Sequence, residues 1–184
     1  MKVRIREARS TDTARIAEIH VSASKIAFKG LVPQSELHEL SAQAMALRWA
    51  PLTLTHDGGF FVAEQDGLSG FCSVTRARGD RFDDHTAEIM AIYVDPDRQS
   101  EGIGTMLINA ALDHANARGF AEIMLWVLPG NEQARRFYES LGFSSDEFEY
   151  TDHGLRTAAP HVNYTLSLSS VSASERPRVR QSAL

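Results

Sequence analysis

A chain of 184 residues is long enough to bury a core without disulfides or metal ions, so a single domain is the default expectation. Its apolar content of 43% and formal net charge of −5 are typical of a soluble globular protein, and no apolar run approaches the roughly 20 residues of a membrane span. The first residues lead directly into a strand pattern, from which we expect no targeting segment and a cytoplasmic location. The single cysteine, Cys72, excludes an internal disulfide and is expected to be a small core residue.

The first part of the chain predicts a strand, two helices and a hairpin. VRIRE alternates as a strand does, and a helix capped by Ser10 or Thr11 follows. The apolar residues expected near one face of that helix are Ala14, Ala17, Ile19, Ala23 and Ile26. A second helix is predicted from about Ser35 to Trp49, before Pro51. The β-rich runs that follow join at Asp66-Gly67, a dipeptide that accepts the positive φ angles of a tight hairpin turn.

The second part predicts two strand-to-helix units in tandem. HTAEIMAIYVDP is a strand, and IGTMLINAALDHANARG has helical spacing closed by Gly119. AEIMLWVL is the next strand, and GNEQARRFYESLGF predicts a short helix that Asn131 caps and Gly142 ends. Its inward-facing residues are expected to be Ala134, Phe137 and Leu141. DEFEYT and HVNYTLSL predict closing strands on either side of a loop, DHGLRTAAP.

This element order predicts an α/β sheet of mixed direction, with parallel neighbours where a helix makes the crossover. From residue 167 the composition changes to Ser, Arg and Ala without apolar periodicity. We therefore expect one domain over residues 1–166 and a disordered tail over 167–184. Arg176, Arg178 and Arg180 of the tail could contact an anionic partner, but three charges give only weak phosphate affinity, and a solvated tail is the alternative. No nucleic-acid or membrane partner is expected.

The segment RQSEGIG, residues 98–104, lies between a predicted strand and a predicted helix. Amides at a helix N-terminus bind phosphate groups, and glycine lets the anion approach without a Cβ in the way. The alternative is that Gly102 and Gly104 only permit a tight turn and close packing of helix against strand. The motif is neither of the common nucleotide loops, since no Gly-Lys-Ser/Thr follows and the spacing is not that of a dinucleotide fingerprint.

Two motifs resemble those of one known family. Gln99 to Gly104 are similar to the pyrophosphate-binding signature Q/R-x-x-G-x-G/A of the GNAT superfamily of acyl-CoA N-acetyltransferases. About thirty residues further on, NEQARRFYESLGF resembles the family's N-x-x-A-x-x-F-Y-x-x-x-G-F element. IREARSTDTARIAEIH and AFKGLVP also resemble the family's first strand and helix, so the resemblance covers residues 1 to 166.

The resemblance implies a GNAT-like fold of α/β (α+β) class. Its mixed, mostly antiparallel sheet would contain a parallel pair splayed at the acyl-CoA site and would be flanked by about four helices. It also implies acetyl-CoA as co-substrate, no metal, and a small-molecule or peptide amine as acceptor; a homodimer would be ordinary for such a fold. The cofactor-binding residues that it implies are Ile92, Tyr93, Val94, Gln99, Ser100, Glu101, Gly102, Ile103, Gly104, Thr105, Asn131 and Tyr138. A strand bulge around Ile92 to Val94 would offer backbone N–H groups to the oxyanion.

Acyl transfer to an amine requires a neutral amine and a proton for the departing thiolate. Glu88 is the candidate base, because the two-residue strand period places it on the face of Ile92 and Val94 in the absence of a bulge. A solvated or salt-bridged surface acid is the alternative. The resemblance assigns the acid role to Tyr138, whose phenol, with an ordinary pKa of about 10, is protonated at neutral pH. Its alternative is packing beside Phe137. Trp126 stands where certain relatives carry a glutamate.

Charges around the two sites carry further expectations. Ser100 and Glu101 take places where many family members have Gly and a basic residue, and we expect Glu101 to point into solvent. Arg98, Arg135 and Arg136 could offset the negative charge of the loop, or could be ordinary surface arginines. The acceptor cleft is expected to be bordered by Phe28, Leu37, Trp49 and the loop RARGDRFDDH, whose Asp83 or Asp84 could attract a cationic amine.

Three functions follow, in decreasing order of support. The first is acetyl transfer from acetyl-CoA to an amine of a small molecule or an exposed protein amine. The second is a catalytically silent acyl-CoA binding or sensing module, which the same loop would serve without a working base. The third, a regulator that binds ATP through the glycine loop, lacks the Lys-Ser/Thr pair. The seven histidines form no close His-x-His or His-x-x-x-His pair, so no metal site is expected.

Overall fold

The computed structural model describes residues 2–51, 58–79, 82–151 and 159–168. Within these ranges the five α-helices are α1 (Thr13–Ala27), α2 (Gln34–Glu39), α3 (Ala42–Trp49), α4 (Ile103–Ala117) and α5 (Glu132–Ser140). The strands are β1 (Arg4–Glu7), β2 (Gly59–Glu64), β3 (Leu68–Arg76), β4 (Thr86–Val94), β5 (Glu122–Val127), β6 (Ser144–Tyr150) and β7 (His161–Ser167). Short 3-10 turns occupy Ser10–Asp12 and Pro96–Arg98.

The strands form one seven-stranded sheet in the order β1-β2-β3-β4-β5-β7-β6. β4 and β5 pair in parallel, with α4 as their crossover, and the other neighbours are antiparallel. The predicted hairpin joins β2 to β3, with positive φ angles of 53° at Asp66 and 119° at Gly67. The mixed sheet with one parallel pair is therefore confirmed.

The helix predicted over residues 35–49 is in fact two. α2 ends at Glu39, and the next residue, Leu40, is extended at φ −64° and ψ 116°. The Ser41 hydroxyl then accepts a hydrogen bond from the Ala44 amide and caps a new helix, α3. A serine in a helical pattern competes with the helix by bonding nearby backbone amides, which is why the break occurs there.

The parallel pair separates soon after it forms. β4 pairs with β5 only from Thr86–Glu122 to Glu88–Met124, although β4 continues to Val94 and β5 to Val127. Beyond Glu88 the backbone groups on that edge of β4 make no ladder bonds with β5. The sheet is thus splayed at its centre, as predicted.

A bulge in β4 changes the face on which the candidate base lies. Ile89 pairs with Val74 of β3 and Ala91 pairs with Ser73, so Met90 is the extra residue. Ala87 and Ile89 pack in the apolar cluster beneath α4, whereas Ala91 and Tyr93 pack in the cluster beneath α1 and α3.

The expectation that Glu88 shares a face with Ile92 and Val94 is therefore wrong. Glu88 lies between Ala87 and Ile89 and so points away from α4, to the face of Ala91 and Tyr93. Met90 reverses the two-residue alternation between Glu88 and the end of the strand. The bulge itself was expected around Ile92 to Val94 and occurs two residues before that segment.

Apolar residues on both faces of the sheet form the core. Leu107, Ile108, Ala111 and Leu112 of α4 are buried against one face. On the other face the buried side of α1 consists of Thr13, Ile16, Ala17, Ile19, Ala23 and Ser24. Ala14 and Ile26, which were expected on that side, are exposed, Ile26 to 61%. The prediction is thus correct for Ala17, Ile19 and Ala23, and it missed Ile16.

Only part of the loop and of the tail predicted after residue 151 lies within the described residues. β7 continues through Ser167 and Leu168 is buried. Residues 152–158 of the predicted loop and residues 169–184 of the predicted tail lie outside the described residues. None of the described helices combines the length and the apolar character that crossing a bilayer requires.

Candidate active site

The loop between β4 and α4 presents free helix amides. Gly102 has φ +77° and is the N-cap residue of α4, with no side chain to accept from the first turn. The first amides of a helix have no intrahelical carbonyl partner and form a partial positive charge. Gly102, Ile103, Gly104 and Thr105 all line a cavity of about 520 Å³. This arrangement suits an anion with several oxygen acceptors.

The first cavity, as we name it, extends from this loop along the splayed strands to α5. It contains eleven of the twelve predicted cofactor-binding residues: Ile92, Tyr93, Val94, Gln99, Ser100, Gly102, Ile103, Gly104, Thr105, Asn131 and Tyr138. Glu101 is not among its lining residues. The sequence motifs thus come together in one space, although they are spread over β4, α4 and α5.

The two glycines of the loop are required for different physical reasons. Gly102 is needed because φ +77° lies in the left-handed region, which is unfavourable for residues with a Cβ. Gly104 has no such constraint, but a Cβ there would lie 3.1 Å from Cζ of Phe137 in α5. The packing alternative therefore accounts for Gly104, whereas a turn of unusual backbone conformation accounts for Gly102.

The acidic residue of the loop is paired rather than free. Arg98 donates from Nε and Nη2 to the two carboxylate oxygens of Glu101, both at 2.8 Å, and from Nη2 to Gln65 at 2.6 Å. This hydrogen-bonded guanidinium lowers the pKa of Glu101. Arg98 lines the first cavity and Glu101 does not, so the cationic member of this pair borders the space where an anion would bind.

The other candidate cations are engaged elsewhere. Arg135 donates to Glu147 at 2.7 Å and to the Tyr164 hydroxyl at 2.9 Å. Arg136 pairs with Glu132 at 2.9 Å along α5. Neither arginine lines the first cavity, which supports their interpretation as surface arginines.

Tyr138 lies on the inner face of α5 and is 8% exposed. Its ring contacts Phe143 edge-on at a centroid distance of 5.8 Å and lies 6.2 Å from that of Tyr164. Burial, with smaller contributions from Cys72 and Tyr93, raises the pKa of the phenol, so the hydroxyl is protonated at neutral pH. The side chain both packs and lines the first cavity. Nearby, Asn131 caps α5 by accepting from the Ala134 amide at 3.2 Å.

A second cavity, of about 310 Å³, lies on the opposite face of the sheet, between β4 and the helices α1, α2 and α3. Phe28, Leu37 and Trp49, the residues expected to border the acceptor cleft, line this cavity. The residues that it shares with the first cavity are Phe28, Ile89, Met90, Ala91, Tyr93, Trp126 and His161. The two cavities therefore meet where β4 and β5 separate.

The loop RARGDRFDDH contributes less to this side than expected. Asp83 accepts from the His85 amide and the Thr86 hydroxyl, both at 2.9 Å, and Asp84 pairs with Arg76. Neither aspartate lines the two cavities. Residues 80 and 81 of this loop lie outside the described residues.

Glu88 lines the second cavity and is 4% exposed. Its two carboxylate oxygens face Arg78, at 3.3 Å from Nε and 3.4 Å from Nη2. A buried carboxylate requires such a partner, because an unpaired charge is costly to remove from water. Because Glu88 is buried, it is not a solvated surface acid. It does form a salt bridge, but at a buried position and not at the surface.

Two histidines of the site were missed by the sequence analysis. His161 begins β7, is 7% exposed and lines both cavities, with Nδ1 2.9 Å from the Ala159 carbonyl. His20 of α1 accepts from the Trp49 indole at 3.0 Å through Nδ1 and stacks on Tyr93 at 4.5 Å between ring centroids. Neither has a spacing signal in the sequence, because their neighbours come from distant strands and helices.

Other chemistry has less support in the described ranges. No group of three or more His, Cys, Asp or Glu side chains there is placed to hold a metal ion. Cys72 is buried in β3, where desolvation raises the pKa of its thiol and keeps it protonated. The thiol is thus a core group, as expected.

Comparison with known proteins agrees with this geometry. The family model described as "Acetyltransferase (GNAT) family" matches residues 25–143. An uncharacterised N-acetyltransferase of Methanocaldococcus jannaschii is 41% identical over 93 residues, which are 50% of this chain and 41% of that protein. The chain thus spans about two fifths of the length of that relative.

Two solved structures have similar folds. The PaiA N-acetyltransferase of Thermoplasma acidophilum, in complex with coenzyme A, has a TM-score of 0.66 and 20% identity, covering 89% of this chain and 98% of that one. The yncA protein of Salmonella typhimurium, solved with its cofactor acetyl-CoA, has a TM-score of 0.69 and 21% identity, covering 94% and 98%. At this level of identity the likeness shows the fold.

Proposed function

Because this chain belongs to the GNAT family of acetyltransferases, we propose that it transfers the acetyl group of acetyl-CoA to a primary amine by direct attack. The observation that carries the proposal is the meeting of two cavities at the splayed β4–β5 pair. One cavity begins at a set of free helix amides and suits a phosphate-bearing donor. The other lies on the opposite face and suits an acceptor that approaches from the other side.

The donor would bind along the first cavity. The amides of Ile103, Gly104 and Thr105 would hold the pyrophosphate, with Arg98 as the neighbouring cation. The pantetheine arm would enter between β4 and β5, next to the β4 segment whose edge makes no ladder bonds with β5. Coenzyme A in the PaiA structure and acetyl-CoA in the yncA structure support this choice of donor.

Backbone N–H groups of Ile92 to Val94 on the splayed edge are the proposed donors to the oxyanion of the tetrahedral intermediate. Tyr138 is the proposed acid for the departing thiolate, since it lines the first cavity and its hydroxyl is protonated at neutral pH. Among the described residues the phenol has no hydrogen-bond partner that would compete for its proton. These roles rest on position and chemistry together.

The acceptor amine would enter through the second cavity. Three carboxylates line it, Glu36, Glu39 and Glu88, against one arginine, Arg48. This balance favours a cationic amine over an anionic acceptor. Most amines are protonated at neutral pH, so a proton must leave before attack. Glu88 and His161 line this cavity and are the candidates for that step.

The Arg78–Glu88 ion pair also fits the second candidate, an acyl-CoA binding module without catalysis, because both carboxylate oxygens of the candidate base are engaged with the guanidinium. One experiment separates the two functions. Acetyl-CoA is incubated with spermidine, L-lysine, kanamycin, benzylamine and a peptide with a free N-terminus, and thiol release is followed with and without each amine. In parallel, the melting temperature is measured with and without coenzyme A.

Amine-dependent thiol release together with a rise in melting temperature is the expected result. A rise in melting temperature without release to any of these amines would support the silent module. If coenzyme A leaves the melting temperature unchanged and no thiol is released, both functions are excluded.

A further inference from the structure

His161 occupies the junction of the two cavities. It lies on the face of the sheet that carries Glu88, because Val162 and Tyr164 of β7 belong to the cluster under α4 and alternate with it. Among the residues shared by the two cavities, His161 and Tyr93 carry ionisable side chains. Burial raises the pKa of the Tyr93 phenol, so Tyr93 is no proton acceptor at neutral pH.

The hydrogen bond to Ala159 fixes the tautomer of the ring. A carbonyl oxygen accepts hydrogen bonds only, so His161 Nδ1, at 2.9 Å, must be the donor. The neutral ring therefore carries its lone pair on Nε2. A backbone carbonyl that holds one ring nitrogen and orients the other is the arrangement that a histidine base requires.

Glu88 is less suited to the same task. It faces the Arg78 guanidinium through both carboxylate oxygens and lines only the second cavity. Both oxygens that could take up a proton are thus already engaged with the guanidinium. The charge of Glu88 remains useful for attracting a cationic amine into the cavity.

We propose that His161 accepts the proton of the acceptor amine, a role that rests on the proposed acetyl transfer. The ammonium N–H bond breaks and Nε2 takes the proton, which later passes to solvent. The neutral amine then forms the C–N bond to the thioester carbonyl, and the C–S bond breaks. The thiolate takes a proton from Tyr138, and the tyrosinate recovers one from the acylated amine nitrogen. The sum is an amide, coenzyme A and one released proton.

Several other groups titrate or carry charge around this ring. Glu88 and Tyr93 of β4 and Tyr138 of α5 each line a cavity that His161 also lines, and Tyr150 of β6 is its register partner. Further along the second cavity are His20, Glu36, Glu39 and Arg48. Among them, His20 is the other imidazole, so it provides the necessary comparison.

The test compares kcat against pH for His161→Asn, His20→Asn, Glu88→Gln and the unchanged protein, using the fastest of the five amines above. Asparagine can still donate to the Ala159 carbonyl from the position of Nδ1 but takes up no proton.

The unchanged protein should lose kcat as pH falls through the imidazole range, because an imidazolium accepts no proton. His161→Asn should lower kcat about 10²-fold or more at pH 7, and the loss should shrink at high pH, where the amine deprotonates unaided. Both control variants should still lose kcat as pH falls, a decline that we call the acidic limb.

The outcomes separate this proposal from the proposed function. If His161→Asn keeps the acidic limb, or Glu88→Gln or His20→Asn loses it, His161 is not the base although acetyl transfer stands. If the unchanged protein acetylates none of the amines, the proposed function fails and this role fails with it. Nitrogen-15 shifts of the imidazole, read without turnover, give an independent check. A neutral His161 protonated on Nε2 would overturn the proposal.

Discussion

Gly104 of α4 and Phe137 of α5 approach so closely that a Cβ on the glycine would lie 3.1 Å from Cζ of the phenylalanine. This contact joins the two motifs that the sequence analysis treated separately, the glycine loop and the N-x-x-A-x-x-F-Y element. The second glycine of the loop is thus explained by helix packing, whether or not an anion binds.

Gly104→Val should therefore destabilise the folded protein. Overpacking of this kind costs roughly 1–3 kcal/mol in the free energy of unfolding, which urea titration measures. Phe137→Leu in the same chain should recover part of the loss, because it removes the far end of the ring that the new side chain meets. Strictly additive effects of the two substitutions would mean that the contact is not the cause.

Gly102 provides a cleaner test of anion binding than Gly104 does. Its requirement for glycine comes from its backbone conformation and not from contact with a neighbouring side chain. Asparagine tolerates a φ of +77° better than other side chains do, so Gly102→Asn should fold while placing atoms beside the helix amides. We expect coenzyme A affinity to fall about tenfold or more, equivalent to about 1.4 kcal/mol, as measured by calorimetry. Unchanged affinity in the folded variant would argue against the loop as the pyrophosphate site.

Removing the charge of Glu101 should have the opposite effect. Glu101→Gln breaks the ion pair with Arg98 and leaves that guanidinium to the bound anion, so coenzyme A affinity should rise severalfold at low salt. The gain should shrink as ionic strength screens the exposed charges. Glu132→Gln is the matched control, since it breaks an exposed pair with Arg136 outside the first cavity. Equal changes in both variants would point to net charge instead of the local pair.

Most of the fold could be predicted because local signals decide it. The turn at Asp66-Gly67, the Asn131 cap and the closing glycines act within a few residues, and each is found where the sequence places it. The break between α2 and α3 was missed because the same apolar spacing continues across it. Only the Ser41 cap, one residue in that pattern, marks the start of a new helix.

The site was less predictable because its geometry depends on register. The bulge at Met90 is a relation between β4 and β3, with no residue pattern of its own, yet it decides the face on which Glu88 lies. His161 reaches the junction through pairing with β6 and the course of β7, about seventy residues after β4 in the chain. Contiguous sequence motifs predicted many of the residues that line the first cavity, and they left the second cavity, which we propose for the acceptor, largely undetermined.

Acid should destabilise the fold through a buried ion pair near its N-terminus. Arg6 donates to both carboxylate oxygens of Asp12, at 2.7 and 3.0 Å, and each side chain is 10% exposed. The Arg6 hydrogen bonds lower the pKa of Asp12 below its ordinary value. A carboxyl whose pKa is lower in the folded state stabilises that state above the unfolded pKa, and this contribution is lost as pH falls through the folded pKa.

Asp12→Asn should therefore cost roughly 1.5–3 kcal/mol of unfolding free energy at pH 7, as expected for hydrogen bonds to a charged group. The difference from the unchanged protein should narrow below about pH 4, where the carboxyl of the unfolded chain is already protonated. Urea titrations from pH 7 down to the lowest pH at which the protein folds provide the measurement. A difference that stays constant over this range would show that the charge of Asp12 contributes little.

Tyr138→Phe tests the proposed acid, because it keeps the ring and removes only the hydroxyl. The ring contacts with Phe143 and Tyr164 should persist, so the melting temperature and coenzyme A affinity should stay near those of the unchanged protein. Coenzyme A has a thiol like that of cysteine, with an ordinary pKa of about 8.5, and its expulsion without a proton is slow but feasible. We expect kcat to fall roughly 10²- to 10⁴-fold, the usual contribution of one general acid.

The dependence on the leaving group decides whether the hydroxyl acts as an acid. An acetyl thioester whose thiol has a much lower pKa needs no proton to depart, so the defect of Tyr138→Phe should shrink with that donor. Comparing kcat for both proteins with both donors measures the proton transfer separately from substrate positioning. A defect of equal size with the two thioesters would make Tyr138 a residue that positions the donor, since positioning does not depend on the basicity of the departing sulfur.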